Sequence, residues 1–284
     1  MPDVEFGEEK FSVDDFKRMQ GDHKSKWSGK LLPYFIALLE PQMDESTELE
    51  QQAFDVLMNW NHDMSSTLQA PAIFEQYYVE FLKSMFMDEL GEELYNVLIK
   101  QDLLAAYLID KIRLTNESVW FDDVSTREVE ENSADIAYRA FANTIAALSE
   151  RLGEDIDEWN WGKVHTLSLA HPLGSVRALD KAFGLNKGPF PVGGSYHTVS
   201  PYSYPLNDLF HANHGASHRH IYVPGDWNSS QVILPTGISG IPASPYYMSQ
   251  TDKYLNNIYN KDWFSDDMIR SGAVYRMIMS PEGN

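Results

Sequence analysis

Four histidines, His211, His214, His218 and His220, fall within ten residues of one another. Imidazole is a good zinc ligand, and residues two apart on a strand share a face, so His218 and His220 are placed to chelate. The chain has no cysteine, and no neighbouring carboxylate completes a set of four. The better reading is a run of loop and strand histidines, and no metal ligand is assigned. His165 and His171 could be joined on paper with Ser168 and an aspartate into a hydrolytic triad. No G-x-S-x-G elbow presents the serine, so these read as core or strand-edge histidines with satisfied nitrogens. Gly237 and Gly240 suggest a phosphate cradle, but the Lys-Ser/Thr that follows a true P-loop is missing. Their glycines read instead as places of close backbone approach.

Composition narrows the classes further. The chain has 284 residues with 43% hydrophobic and 13% aromatic content, enough for a sizeable core. A net charge of −20 argues against a nucleic-acid partner and against an anionic membrane surface. No apolar run approaches the ~20 residues of a membrane span. The opening MPDVEFGEEKFSVDDF is acidic and has no apolar signal-peptide core. A Met1 with an acidic leader is also compatible with a start placed inside a longer precursor.

The elements that must position these residues change character along the chain. Residues 12–39 read as one helix, opened by a Ser12/Asp15 capping pair and bent at Pro33. Thr47 and Glu50 cap a second helix, and Pro71 sits in the first turn of a third. Trp27, Trp60, Tyr77 and Phe81 recur at helical spacing and read as core. Residues 89–100 and 101–114 suggest two shorter helices, and 127–152 a long one stopped by Gly153. From Trp159 onward strands and loops dominate. Val164–Leu169 alternates as a strand does, 175–185 suggests a short helix, and 188–205 reads as loop with one strand at 196–199. A hairpin follows, His218–Val223 and Gln231–Leu234, then a helix at 249–259 and an edge strand at 274–279. The fold class is therefore α+β, with a mainly helical region over 1–155 and a strand and loop region over 156–284 packing on it.

Several blocks, taken in order, resemble the penicillin acylase family of N-terminal-nucleophile hydrolases: MQGDHKSKWSGKLLPYFIALL (19–39), LMNWNHDMSSTLQAPAIFEQYYVEFL (57–82), WGKVHTLSLAHPLG (161–174), GPFPVGGSYHTV (188–199), GASHRHIYVPGDWNSSQVILPTGISGIPASPYYMSQTDKYL (215–255) and KDWFSDDMI (261–269). The resemblance covers the C-terminal part of the family's large subunit. It implies a layered αββα fold of which this chain supplies helices and antiparallel strands. It implies cleavage of the acyl amide of a β-lactam, an acyl-homoserine lactone or a related amide through an acyl-enzyme.

By the same resemblance the nucleophilic serine, the oxyanion asparagine and the calcium ligands lie upstream of this chain, which holds no cofactor and is inactive alone. Its partners are then the small subunit and the N-terminal part of the large subunit of the same precursor, and a small-molecule amide substrate. Neither nucleic acid nor membrane is expected, a homo-oligomer is compatible, and the location is periplasmic or extracellular. Arg219, with Ser217 on the same strand face, becomes the candidate for an electrostatic role behind the nucleophile; the plainer reading of Arg219 is a surface ion pair. Gly174–Ser175 and Gly194–Ser195 are bonds of the type such precursors cleave, but the resemblance places both far downstream of the processing site. The reading from another class is a non-catalytic scaffold or binding module that acts with a partner chain.

Overall fold

The computed structural model describes residues 10–281. Two helices stand where the sequence suggests one: α1 (Val13–Gln20) and α2 (Lys26–Leu39). Ser12 caps α1 in a full capping box with Asp15, as its spacing implies. The chain then leaves helical geometry at Gly21, and Ser25 caps α2 afresh. Pro33 is accommodated inside α2. The break has a structural meaning, because the chain divides there. One compact unit is Asp22–Gly215; the other joins the stretch ending at Gly21 to Ala216 and onward. The change from helix to strand near residue 155 lies inside the larger unit.

In the larger unit α3 (Glu48–Met58) starts at a Thr47/Glu50 capping box. Pro71 occupies the first turn of α4 (Ala70–Leu98), which kinks at Gly91, whose φ of +66° breaks the helix into two pieces. Helix α5 is Asp102–Thr115. Helix α6 begins at Ser133 rather than 127, because Asn132 caps it and the preceding residues fold back as a loop; Gly153 ends it with φ +88°. The core lies among α2, α4 and α6. Phe35 meets Tyr77 and Phe81 at ring-centroid distances of 4.4 and 4.9 Å, and Tyr77 meets Phe141 at 5.4 Å. The Tyr77 hydroxyl, buried with its ring, donates to Ala137 O at 3.2 Å. Such tilted and edge-on rings add roughly 0.5–1.5 kcal/mol per pair beyond their buried area.

A one-turn helix α7 (Trp161–Val164) feeds β1 (Thr166–Leu169). Helix α8 (Arg177–Phe183) follows, ended by Gly184 in the left-handed region. Strand β2 is Lys187–Pro191, pairing antiparallel with β1, and β3 (His211–Ala212) pairs with β1 in parallel. The strand expected at 196–199 is a turn, and β2 occupies residues that read as loop. Its prolines are tolerated because β2 is an edge strand in the order β2-β1-β3.

In the smaller unit β4 (Arg219–Ile221) and β5 (Gln231–Ile233) form the expected antiparallel hairpin, with Arg219 opposite Ile233 and Ile221 opposite Gln231. A third strand, β6 (Asn260–Lys261), pairs with β5. Helix α9 is shorter than expected (Thr251–Leu255), and α10 is Asp266–Gly272. The edge strand expected at 274–279 does not form: these residues are irregular, and Val274, Tyr275, Met277, Ile278 and Met279 are exposed. Helix α1 is tied in by side chains, with Gln20 Nε2 donating to His220 O at 3.1 Å and Asn257 Nδ2 to Lys17 O at 2.7 Å.

Candidate functional sites

Alternation along β4 decides which way its side chains go. Arg219 points inward and is 6% exposed, while His218 is exposed and His220 half-buried. The Arg219 guanidinium lies over the Tyr254 ring, 4.1 Å from its centroid, and donates from Nη1 to Tyr254 O at 3.1 Å. Tyr254 is buried in turn, and its hydroxyl donates to Ala216 O at 2.6 Å. An arginine cannot shed its proton at any ordinary pH, so burial requires that something replace water around it; here an aromatic face and a carbonyl do so. Ser217 precedes β4 and is exposed. Arg219 is therefore buried rather than at the surface, where its plainer reading put it.

On the other face of β4, His220 stacks on Tyr222 at 3.8 Å and stands edge-on to His218 at 5.3 Å. Its Nε2 is 2.9 Å from Asp262 Oδ2, but the approach lacks hydrogen-bond geometry and both ring nitrogens are buried without a bonded partner. His211 and His214 belong to the larger unit and His218 and His220 to the smaller. Among the described residues no group of three or more His, Asp or Glu side chains converges as a metal ion requires.

The Leu234–Tyr247 loop is a self-bonded turn rather than a cradle. Gly237 N donates to Tyr247 O at 2.8 Å, and a Cβ at Gly237 would stand 1.7 Å from Tyr246 O. Close approach of two backbone segments, the role read for these glycines, is met at Gly237.

The larger unit holds a buried polar group that its sequence pattern does not advertise. Glu75 lies on α4 and is 4% exposed. The Tyr204 hydroxyl donates to its Oε2 at 2.5 Å. Burial pushes the Glu75 carboxyl up to about 7, against the pull of hydrogen bonds from Tyr204 and Ser195. Tyr204 packs edge-on to Trp161, His165 and Phe210. His165, with no exposed surface, stacks on Trp161 at 4.4 Å and places Nδ1 2.9 Å from Phe210 O. Its Nε2 has no hydrogen-bond partner, so the histidine read as fully satisfied is satisfied on one side. Burial depresses the ring to about 4, outweighing the carbonyls around it, so it is neutral. His171 accepts from Leu173 N at 3.1 Å and caps a turn. Ser168 bonds neither histidine among the described residues, and no triad forms. Ser195 is fully buried, whereas at the other Gly–Ser bond Gly174 is buried and Ser175 exposed.

One signal of Glu75 was available in the sequence. Its helical neighbours at three and four residues, Pro71, Ala72, Tyr78 and Val79, are all apolar or aromatic, and a lone carboxylate on such a face must be neutralised or paired.

Comparison with known proteins adds to this geometry. The sequence profile of the family described as penicillin amidase matches residues 5–271. An acyl-homoserine lactone acylase QuiP of Pseudomonas fluorescens (strain Pf0-1) is 30% identical over 258 residues, which cover 85% of this chain and 30% of the relative. A penicillin acylase 2 proenzyme of Pseudomonas sp. (strain SE83) is 30% identical over 138 residues, 48% of this chain and 18% of the relative. Among solved structures, the thermostable penicillin G acylase of Alcaligenes faecalis superposes with a TM-score of 0.54 at 14% identity, over 96% of this chain and 50% of that chain. The chain thus spans about 30% of the length of the curated relative matched over most of it.

Proposed function

The chain belongs to the penicillin amidase family, a family of acylases that hydrolyse amides, and we propose that it is the C-terminal portion of such an enzyme acting on acyl-homoserine lactones. The observation that carries this reading is the match over 258 residues to an acyl-homoserine lactone acylase about three times as long. The mixed helix-and-sheet fold, similar to that of penicillin G acylase, supports it.

In this reading the reaction passes through an acyl-enzyme. A serine at the new N-terminus of the large subunit attacks the acyl carbonyl, its own α-amine takes the hydroxyl proton and passes it to the amide nitrogen, and the homoserine lactone leaves as a free amine. Water then releases the fatty acid. The serine, the asparagine that donates to the oxyanion and the calcium ligands are assigned to polypeptide upstream of this chain. This chain contributes packing and the hairpin that carries Arg219, to which we assign a positioning role behind the site. Substrate passes from outside the cytoplasm, in the periplasm or beyond the cell.

The test pairs this chain with the upstream part of its precursor. Release of homoserine lactone from N-acyl substrates of graded chain length is followed with the pair and with this chain alone. Turnover by the pair and none by the chain alone is expected. A pair that has processed correctly, yet hydrolyses neither these substrates nor a β-lactam amide, overturns the reading.

A further inference from the structure

The 193–204 segment of the larger unit runs Gly-Gly-Ser-Tyr-His-Thr-Val-Ser-Pro-Tyr-Ser-Tyr and contains no helix or strand. Its backbone is pinned at both ends. Gly194 N donates to Met64 O at 2.9 Å, Trp161 Nε1 donates to Gly194 O at 3.0 Å, and Ser200 N donates to Asp22 O at 2.9 Å. Gly194 has φ +78°, and a Cβ there would stand 2.3 Å from Ser200 O, so the turn is closed on itself. The hydrogen bond that ties this segment to α4 runs from the Tyr204 hydroxyl to Glu75 at 2.5 Å, and Ser195 lies near enough to draw the carboxyl toward its ionised form.

We propose that Glu75 is a proton-operated latch, which in its neutral form clasps the 193–204 segment to α4 through Ser195 and Tyr204 and on ionising releases that segment to water. The surroundings argue for it. The titratable groups that feel the carboxyl are Tyr78 on α4 and Tyr196 and Tyr204 on the segment; Asp102 bears in turn on Tyr78, Tyr196 and His197. His165 lies beyond Tyr204. None supplies a lasting cation. Both histidines are held neutral by burial, and Asp102 carries like charge.

A neutral Glu75 is fully served: it accepts from Tyr204 and gives its own proton to the Ser195 hydroxyl, which can rotate to receive it. An ionised Glu75, 4% exposed, keeps hydroxyl donors but gains no counter-ion from the groups named above, and opening the segment is the cheapest route to hydration. The carboxyl's rise to about 7 places the change near neutrality. Because the protonated form is the one that the closed segment favours, closure is whole in acid and is lost as pH rises through that value.

This inference concerns the chain's own packing and stands apart from the acylase reading. Hydrogen exchange of peptides covering 193–204, corrected for the intrinsic pH dependence of exchange, is measured from pH 5.5 to 8.5. The opening constant is expected to rise about tenfold per pH unit up to about pH 7, the slope for one proton, and to level off above it, where closed and open forms are both ionised, while peptides of α6 stay flat. Glu75→Gln, which mimics the neutral acid, should remove the slope. Tyr204→Phe, which removes a donor to the ionised form, should move the midpoint upward. A flat wild-type profile overturns the proposal by itself, and so does a Glu75→Gln slope equal to that of the wild type. If Glu75→Gln does not fold, judged by melting at pH 5.5, an unmoved midpoint in Tyr204→Phe overturns it.

Discussion

Arg219 in the smaller unit and Glu75 in the larger are both buried ionisable side chains, and the two units accommodate them in opposite ways. Arg219 stays charged, so the smaller unit surrounds it with the Tyr254 ring and a carbonyl, groups that stand in for water. Glu75 can take up a proton, so the larger unit leaves it among apolar and aromatic neighbours with two hydroxyls. The lesson is that burial of an ion is settled by what the group can do, not by its charge. A group locked in its charged form forces the structure to solvate it. A group able to become neutral lets the structure stay apolar and hands the cost to pH.

That contrast can be broken at its strongest point first. Folded Glu75 keeps its proton up to about pH 7, against 4.5 for an ordinary glutamate. Its raised value means that stability is whole below pH 4.5 and declines as pH rises through 7, with about 3 kcal/mol gone by pH 8. Glu75→Gln, neutral throughout, should therefore be about 3 kcal/mol more stable than wild type at pH 8 and near parity at pH 4.5, by denaturant unfolding. Equal stabilities at pH 8 would remove Glu75 from the comparison.

A smaller effect is expected at the other pole. Arg219→Ala should destabilise the smaller unit by about 2 kcal/mol, through the lost ring contact and charged hydrogen bond, and by the same amount from pH 5 to 8. Arg219→Lys should recover about half, since a point charge cannot both lie flat on Tyr254 and reach its carbonyl. A strong pH dependence in Arg219→Ala would erase the distinction between the two sites. The smallest effect belongs to Ser12→Ala, which removes the α1 cap and should cost about 1 kcal/mol, felt in amides of the smaller unit and not in α4 or α6.

Local chemistry made much of this fold legible. The Ser12 and Thr47 capping boxes, the first-turn Pro71, the Gly153 stop and the hairpin each follow from a few neighbouring residues, and the ordered blocks point to the family. Features set by distant partners were less readable. Strand β2 holds two prolines, which speak against a strand until β1 is known to lie on one side of it and nothing on the other. The helical period runs unbroken from Phe16 to Trp27 in the sequence, so the exit from helix at Gly21 is visible after the fact, when Gly21 is seen to end one unit. Tyr204, 129 residues from Glu75, cannot be paired with it by spacing at all. Arg219 was legible as a strand residue facing away from His218, but its clamp by Tyr254 lies 35 residues on.

The chain's division at Gly21 bears on the order of events during synthesis. Helix α1 is made well before the strand it bonds to, which lies 200 residues later, at His220. At 5–20 residues per second, roughly 10–40 s pass before the two can meet. By then Asp22–Gly215 has been made in one piece and its local helix contacts are available for folding. Closing so long a loop through a disordered chain is entropically costly, but a folded insert whose ends lie at Asp22 and Gly215 replaces most of that loop with fixed structure. The smaller unit is in effect a discontinuous domain that hosts the larger one as an insertion in the chain, and its assembly waits for the strands beyond Gly215 to be translated.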